Sequence, residues 1–302
     1  MRFQVGDSMV DVLVDIDRFE LPIARFLPEA ESGQGESARS LLEPDHADLE
    51  RGLLILAIQT FVLRAAGRTI LVDTCVGEGK ERPLLQDFHR RHQSGFLEGL
   101  AQAGVRPESI DLVFCTHLHV DHVGWNTRLL DGRWVPTFPN ARYLIGRSEL
   151  TYWQDQRSRP DGDALQLGGF EDSVLPILEA GRAELVDDGY ELGPGLSLVP
   201  LPGHTPGQMG VRADGAVRAL FCADAIHSPL QVLDPGLSTA GCVDREQARQ
   251  VRRALLEEAA EEGRLVVPAH FRGTRCMHIR RTAAGFTPCF PDLRLCAGRS
   301  VA

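Results

Sequence analysis

Residues 115–126 read Cys-Thr-His-Leu-His-Val-Asp-His-Val-Gly-Trp-Asn and follow the largely apolar run 110–114. Three of the chain's ten histidines and one aspartate fall within six positions of this stretch: His117, His119, Asp121 and His122. Imidazole and carboxylate groups are ligands that zinc and similar divalent metals prefer. The stretch therefore predicts a metal-binding loop after a strand. The alternative is a solvated polar turn with chance histidines.

The spacing of these side chains predicts more than one metal. Residues two apart at the end of a strand point the same way, so His117 and His119 can approach one ion. Asp121 and His122 come after the chain has turned and face a second point nearby. Because four ligands within six positions cannot surround one tetrahedral ion without strain, we expect a loop shared by two metals.

Composition indicates an ordinary globular protein. The 302 residues are 43% hydrophobic and 25% charged, enough for a sizeable core. A net charge of −10 disfavours nucleic acid and anionic membranes as partners. No run of eighteen apolar residues is present, and residues 1–8 lack a signal-peptide pattern, so no membrane association is expected.

The cysteines predict a reducing environment. There are seven, none in a Cys-x-x-Cys pair, at positions 75, 115, 222, 242, 276, 289 and 296. This scatter argues against a disulfide framework or a zinc ribbon and favours a cytoplasmic protein. Cys115 and Cys222 are interpreted as packing residues.

Apolar runs and their breaks predict alternating strands and helices. The predicted strands are 53–63, 69–73, 110–115, 142–145, 196–201, 217–222 and 265–268. The predicted helices are 96–103, 147–153 and 246–262. Metal-type residues follow strand ends, as in an α/β fold that presents loops along one edge. The irregular segments 27–52 and 155–169 are predicted to be loops covering the site, with plain linkers as the alternative.

Three scattered residues extend the ligand inventory. His204 lies in a Pro/Gly turn, Leu201-Pro202-Gly203-His204-Thr205-Pro206-Gly207. Asp224 follows the strand 217–222, and His270 follows the strand 265–268. Each alone would be read as a structural histidine or a capping aspartate.

Together these motifs resemble the metallo-β-lactamase fold superfamily. The set is His-x-His-x-Asp-His, then Pro-Gly-His-Thr-Pro-Gly, an Asp at a strand end and a late His, preceded by Leu71-Val72-Asp73-Thr74. The resemblance covers about residues 50–272. It implies an α/β fold, an αββα four-layer sandwich, built as a single domain over residues 1–302.

The resemblance also implies a set of metal ligands. The first metal would be held by His117, His119 and His204, the second by Asp121, His122 and His270, with Asp224 bridging the two. Asp73 would orient a ligand imidazole by accepting its other N–H. Cys75 stands where the family usually has Gly. Two divalent ions are expected, with zinc as the default and iron or manganese as alternatives. A β-lactamase is disfavoured, because members of that kind carry cysteine in the second site.

Within the superfamily, residues 116–124 are similar to N-acyl-homoserine lactonases, pyridoxolactonases and methyl parathion hydrolases. This likeness implies that a metal-bridging hydroxide opens a lactone or cleaves a small carboxylic ester, with Asp121 carrying a proton to the leaving group. His227 stands where the lactonases have a catalytic Tyr, three residues after the bridging Asp. We therefore expect His227 to be either catalytic or a structural histidine bonded to nearby backbone.

Several alternatives remain at this point. The substrate could be a phosphotriester or aryl ester. A mononuclear iron redox enzyme, such as a persulfide dioxygenase, would leave Asp121 and His122 without metal. A binding protein that has lost catalysis is a further option, whereas the net charge disfavours an RNA nuclease. A homodimer is possible on family grounds. Trp125 could line a pocket, but a core position is favoured.

Overall fold

The fold is described by a computed structural model over residues 1–30, 38–159 and 167–291. In chain order the strands are β1 (Arg2–Val5), β2 (Ser8–Pro22), β3 (Ala47–Asp48), β4 (Leu53–Ala65), β5 (Arg68–Val72), β6 (Leu112–Cys115), β7 (Thr127–Leu130), β8 (Arg133–Pro136), β9 (Arg142–Gly146), β10 (Ala183–Val186), β11 (Glu191–Gly193), β12 (Leu196–Pro200), β13 (Met209–Ala213), β14 (Ala219–Ala223), β15 (Leu265–Pro268), β16 (His278–Thr282) and β17 (Gly285–Cys289). The α-helices are α1 (Ile23–Phe26), α2 (Arg39–Leu42), α3 (Phe96–Gln102), α4 (Val120–Val123), α5 (Arg147–Arg157), α6 (Leu175–Glu179), α7 (Leu230–Leu233) and α8 (Arg245–Glu262).

The described residues form two compact units. The first comprises Met1 and the described parts of 8–16 and 58–194, and its main sheet has the order β2-β4-β5-β6-β9-β10. β4 and β5 form the predicted hairpin, in which Ala65 pairs with Arg68. Ala66 and Gly67 both have positive φ, at 51° and 76°, as a tight hairpin turn requires. β5, β6, β9 and β10 are parallel; the apolar runs of β5, β6 and β9 are buried, whereas β10 lies at the edge of the sheet and is partly exposed.

The second unit comprises the described parts of residues 2–7, 17–57 and 195–302. Its main sheet contains β12, β13, β14 and β15, and the last two are parallel. Helix α8 lies between them in sequence and confirms the predicted helix. Asp244 caps its start by accepting a hydrogen bond from Gln247 N, and Gly263 ends it with a φ of 65°. Leu255 and Ala259 bury its apolar face in a core that includes Val266 and Phe271.

Two segments predicted to be irregular contain short regular elements. Segment 27–52 holds α2 and β3, and α5 extends to Arg157 inside 155–169. The remainder of the two predicted covering loops includes 31–37 and 160–166, which lie outside the described residues, so the covering role stays a prediction. Within the described ranges, no helix combines the length and the apolar character needed to cross a bilayer.

The packing interpretations of three side chains are confirmed. Trp125 is 4% exposed and stacks on Phe96 with 5.2 Å between ring centroids. Cys115 and Cys222 are fully buried, and burial raises the pKa of the Cys115 thiol to about 12. The Trp125, Cys115 and Cys222 side chains therefore pack in the core, and the two thiols stay protonated at neutral pH.

A buried cluster of charges supports the first unit. The side chain of Lys80 is fully buried, donates to Thr127 Oγ1 at 2.6 Å and to Asp172 O at 3.0 Å, and lies 3.6 Å from the centre of the Trp134 ring. Arg82 donates to both carboxylate oxygens of Asp172, at 2.7 and 2.8 Å. This bidentate pair leaves Lys80 with a less direct contact to the carboxylate, 3.5 Å from Asp172 Oδ1.

The cluster predicts a stability that rises with pH above neutrality. Burial lowers the pKa of Lys80 to about 7, with Asp172 opposing the shift and Arg82 adding to it. Below that pH the amine is protonated in both the folded and unfolded chains. Above it the unfolded chain holds the extra proton until about pH 10.4, so the free energy of unfolding rises by up to about 1.4 kcal/mol per pH unit.

Lys80→Met should remove this slope. Urea unfolding of the parent protein and of Lys80→Met, measured from about pH 7 to pH 10, should give curves that diverge as the pH increases. Parallel dependences on pH would show that Lys80 keeps an ordinary pKa in the folded protein.

Candidate metal centre

Asp73 supports the loop that carries His117 and His122 in the first unit. It follows β5 and has a φ of 61°. Its carboxylate accepts hydrogen bonds from Thr116 N at 2.8 Å and from Thr116 Oγ1 at 2.9 Å, and its Oδ2 lies 2.8 Å from Nδ1 of His122. This geometry suits an aspartate that fixes the orientation of a ligand imidazole and leaves Nε2 of that ring for a metal.

The backbone after Asp73 runs beside the backbone after His122. Thr74 N donates to His122 O at 2.7 Å, and Gly124 N donates to Cys75 O at 2.7 Å. Cys75 has a φ of 53°, in the left-handed region that favours glycine. The loop thus keeps the backbone conformation that a glycine, usual in the family at this position, would adopt.

The predicted ligands of the first unit lie close together. Nε2 of His117 is 3.0 Å from Nδ1 of His119, and the ring centroids of His117 and His122 are 4.0 Å apart. Nε2 of His122 is 3.7 Å from Oδ2 of Asp121. His117 and His122 are buried, whereas the side chain of Asp121 is 20% exposed and remains accessible to water. We call His117, His119, Asp121 and His122 the histidine loop.

Glu149 supports this loop and was missed by the sequence analysis. It lies in the first turn of α5 and is buried. Its Oε1 accepts a hydrogen bond from Leu118 N, between the two leading histidines, at 3.0 Å and another from Trp153 Nε1 at 2.7 Å. An acidic residue in the first turn of a helix is usually a solvated partner of the helix dipole, so its local sequence gave no signal of this role.

Asp224 directly follows β14 in the second unit. The pairing of β14 with β15 is irregular between Phe221 and Ala223, and Ala223 has a φ of 47°. A non-glycine residue in this region is strained by about 1–2 kcal/mol, and such strain recurs at functional sites as well as in tight turns. The bulge places the next side chain, Asp224, in a buried position among histidines.

Three imidazoles surround the Asp224 carboxylate. Oδ2 is 3.2 Å from Nε2 of His204 and 2.9 Å from Nε2 of His227, and Oδ1 is 3.1 Å from Nε2 of His270. Ligand atoms of Asp224, His227 and His270 all lie within 4.8 Å of one another. We call Asp224, His204, His227 and His270 the Asp224 cluster. A buried set of one carboxylate and three imidazoles fits the donors of zinc, iron or manganese.

His204 and His270 are each held from the side away from Asp224. Nδ1 of His270 lies 2.9 Å from the carbonyl oxygen of Ala57. Nδ1 of His204 lies 3.6 Å from Sγ of Cys242. Burial opposes protonation of His204, but the hydrogen bond and charge of Asp224 outweigh burial and raise its pKa to about 10.

His227 contacts the Asp224 carboxylate through its ring and is fixed by neighbouring groups. Its backbone N–H donates to Oε1 of Gln231 at 2.8 Å, and the ring meets Phe26 edge-on at 5.3 Å between centroids. Burial lowers the pKa of His227 to about 4, so the ring is neutral. Nδ1 is buried and makes no hydrogen bond to the described residues. The His227 ring therefore faces the Asp224 carboxylate. A purely structural histidine is expected to bond to nearby backbone instead.

Sequence comparison relates the chain to a known superfamily, and N-acyl homoserine lactonases are among its relatives. The profile of the Metallo-beta-lactamase superfamily matches residues 55–270. An N-acyl homoserine lactonase from Bacillus sp. is 26% identical over 174 residues, which cover 53% of this chain and 59% of the relative. The chain thus spans about three-fifths of the length of that relative.

Solved structures with the same fold cover nearly the whole chain. The hydrolase AbOPH of the beta lactamase superfamily has a TM-score of 0.77 at 21% identity, over 95% of this chain and 96% of that chain. AidC, a dizinc quorum-quenching lactonase in complex with the product N-hexanoyl-L-homoserine, has a TM-score of 0.75 at 21% identity, over 97% of both chains. At this identity the likeness shows the fold.

Proposed function

Because the chain belongs to the metallo-β-lactamase superfamily, we propose that it is a dinuclear metal-dependent hydrolase that opens a lactone or cleaves a small carboxylic ester. The superfamily consists mainly of hydrolases, and lactonases are among the relatives of this chain. The observation that carries the proposal is the Asp224 cluster, in which three buried imidazoles converge on one carboxylate.

The proposed ligands are the residues that the motifs predict. His117, His119 and His204 would hold one cation, Asp121, His122 and His270 would hold the other, and Asp224 would bridge them. Zinc is the proposed metal, since histidine and carboxylate are among its usual ligands, with iron and manganese as the alternatives. When bound, two such cations lower the pKa of water from about 15.7 to about 7 and polarise the carbonyl under attack.

The chain's own residues supply the remaining steps of hydrolysis. Asp121, the accessible carboxylate of the histidine loop, would accept a proton from the attacking water and deliver it to the leaving oxygen. The oxygen of the attacking water would bond to the acyl carbon, and the bond from that carbon to the ring or alcohol oxygen would then break as the leaving oxygen takes the proton from Asp121. His227 would take the place of the lactonase tyrosine, and its Nε2–H, which is directed at Asp224 in this structure, would be the group that donates to the substrate oxygen. Asp73 would keep the His122 ring oriented throughout.

A hydrolysis panel tests this function. Zinc-loaded protein should contain close to two metal equivalents per chain and should hydrolyse an N-acyl homoserine lactone faster than an aryl ester or a phosphotriester. Chelation should abolish the activity, and added zinc should restore it. One tightly held iron with no hydrolysis of any of the three substrates would refute the proposal in favour of a redox enzyme. Preference for the phosphotriester would replace only the substrate class.

Two further expectations from the sequence are part of the same proposal. The protein would act in the cytoplasm on a small-molecule substrate, without nucleic acid or membrane as partner. It would also form a homodimer. Cell fractionation and light scattering of the purified protein measure these two properties directly.

A further inference from the structure

Cys242 contacts His204 on the side of the ring that faces away from Asp224. Its Sγ lies 3.6 Å from Nδ1 of His204 and 3.3 Å from Oγ1 of Thr239. Cys242 is buried, with 9% of its surface exposed. The proposed steps of hydrolysis do not use the Cys242 thiol, although it is buried next to the proposed ligand His204.

Backbone contacts fix the position of Cys242 relative to the Pro/Gly turn that carries His204. Val243 N donates to His204 O at 3.0 Å, and Asp244 N donates to Gly203 O at 2.9 Å. A Cβ on Gly203 would lie 2.3 Å from Ala248 N, so the turn closely approaches the start of α8. The backbone segments that carry Cys242 and His204 are therefore held beside each other, which keeps the two side chains within reach.

We infer that Cys242 is a positioning residue whose sulfur accepts the Nδ1–H of His204 and so presents Nε2 of that ring to the cation; this rests on the proposed function. Histidine ligands usually donate their second ring N–H to a carboxylate, a carbonyl or water, and such partners fix both tautomer and orientation. In this chain a sulfur takes that position. Nε2 of the same ring already points into the Asp224 cluster, 3.2 Å from Oδ2 of Asp224.

The test compares Cys242→Ala, Cys242→Ser and Cys276→Ala in the metal-loaded protein. Cys276 is a buried cysteine of the same unit whose Sγ lies 3.4 Å from Thr274 O, and it serves as the matched control. The measurements are the dissociation constants of zinc, its release rate to a chelator and the visible spectrum of the cobalt-substituted protein. The melting temperature of the metal-free protein reports any general loss of packing.

Cys242→Ala should weaken the binding of one of the two cations by about 10- to 100-fold and change the cobalt spectrum. Cys242→Ser should recover most of the affinity, because a hydroxyl oxygen can accept the same hydrogen bond. Cys276→Ala should bind metal like the parent protein. The melting temperatures of metal-free Cys242→Ala and Cys242→Ser should be similar.

The inference is overturned if Cys242→Ala retains the parent affinity, or if Cys242→Ser and Cys276→Ala lose as much as Cys242→Ala. These results leave the proposed function standing when the parent protein hydrolyses lactones. Conversely, a parent protein that binds two cations and shows the expected variant series but hydrolyses no ester retains the inference and loses the proposed function. A parent protein that binds no metal overturns both.

Discussion

Asp224→Ala is expected to lower kcat/KM for lactone hydrolysis by at least about a thousandfold. Losses of this size are typical when one member of a catalytic group that acts as a unit is removed. The carboxylate lies within 3.2 Å of Nε2 atoms from His204, His227 and His270. Its removal leaves three imidazoles without the negative charge that compensates a bound cation. The metal content should fall below two equivalents, and inductively coupled plasma analysis measures this directly.

Two companion variants separate charge from shape in this experiment. Asp224→Asn keeps the size of the side chain but removes its charge, and it should lose nearly as much activity as Asp224→Ala. Asp7→Ala removes an exposed aspartate of the same unit and should behave like the parent protein. Asp224→Ala protein that keeps both cations and a rate within tenfold of the parent would remove Asp224 from the catalytic centre.

Gly124→Ala is expected to prevent stable folding. A Cβ at this position would lie 1.9 Å from the carbonyl carbon and oxygen of Val76 and 2.5 Å from the nitrogen of Gly77. These are backbone atoms, and Gly124 N itself donates to Cys75 O at 2.7 Å, so the two segments cannot separate without breaking their pairing. We expect the free energy of unfolding to fall by more than about 4 kcal/mol.

Gly99→Ala provides the matched control for this clash. Gly99 lies inside α3, and its added Cβ would meet only the flexible side chain of Leu13, at 3.4 Å. The substitution should leave stability unchanged or raise it by up to about 1 kcal/mol, because alanine favours the helix. Urea unfolding monitored by circular dichroism compares the two variants. Soluble Gly124→Ala with a stability close to that of Gly99→Ala would contradict the close approach of the two backbones.

The sequence predicted the family, the fold class and most elements near the motifs, and these are confirmed. The strands before His117, Asp224 and His270 were predictable because parallel strands buried on both faces read as continuous apolar runs. Helix α8 was predictable from its period and its capping Asp244. Short elements such as α2 were not predictable, since four residues carry too little periodicity to stand out from a loop.

The supporting residues of the candidate site could not be predicted. Glu149 and Cys242 reach Leu118 and His204 only after distant segments have folded against each other. In the sequence, Glu149 is an ordinary acidic residue in a first helical turn, and Cys242 is one of several scattered thiols. The motifs therefore predicted the proposed ligands, whereas the groups that hold them became visible only in the structure. The roles of the ligands themselves remain predictions.

The parallel pairing of the central strands has a consequence for the order of assembly. Leu112 pairs with Ile70, and Leu265 pairs with Ala219, so roughly forty residues separate the paired strands in each case. Pairing over such distances slows folding, because the chain entropy of closing the loop is lost before contacts compensate it. His117 and His270, two of the proposed metal ligands, each follow one of these strands. The proposed metal site would therefore be completed only after this long-range strand pairing, so that metal would bind to a chain whose sheets have already formed.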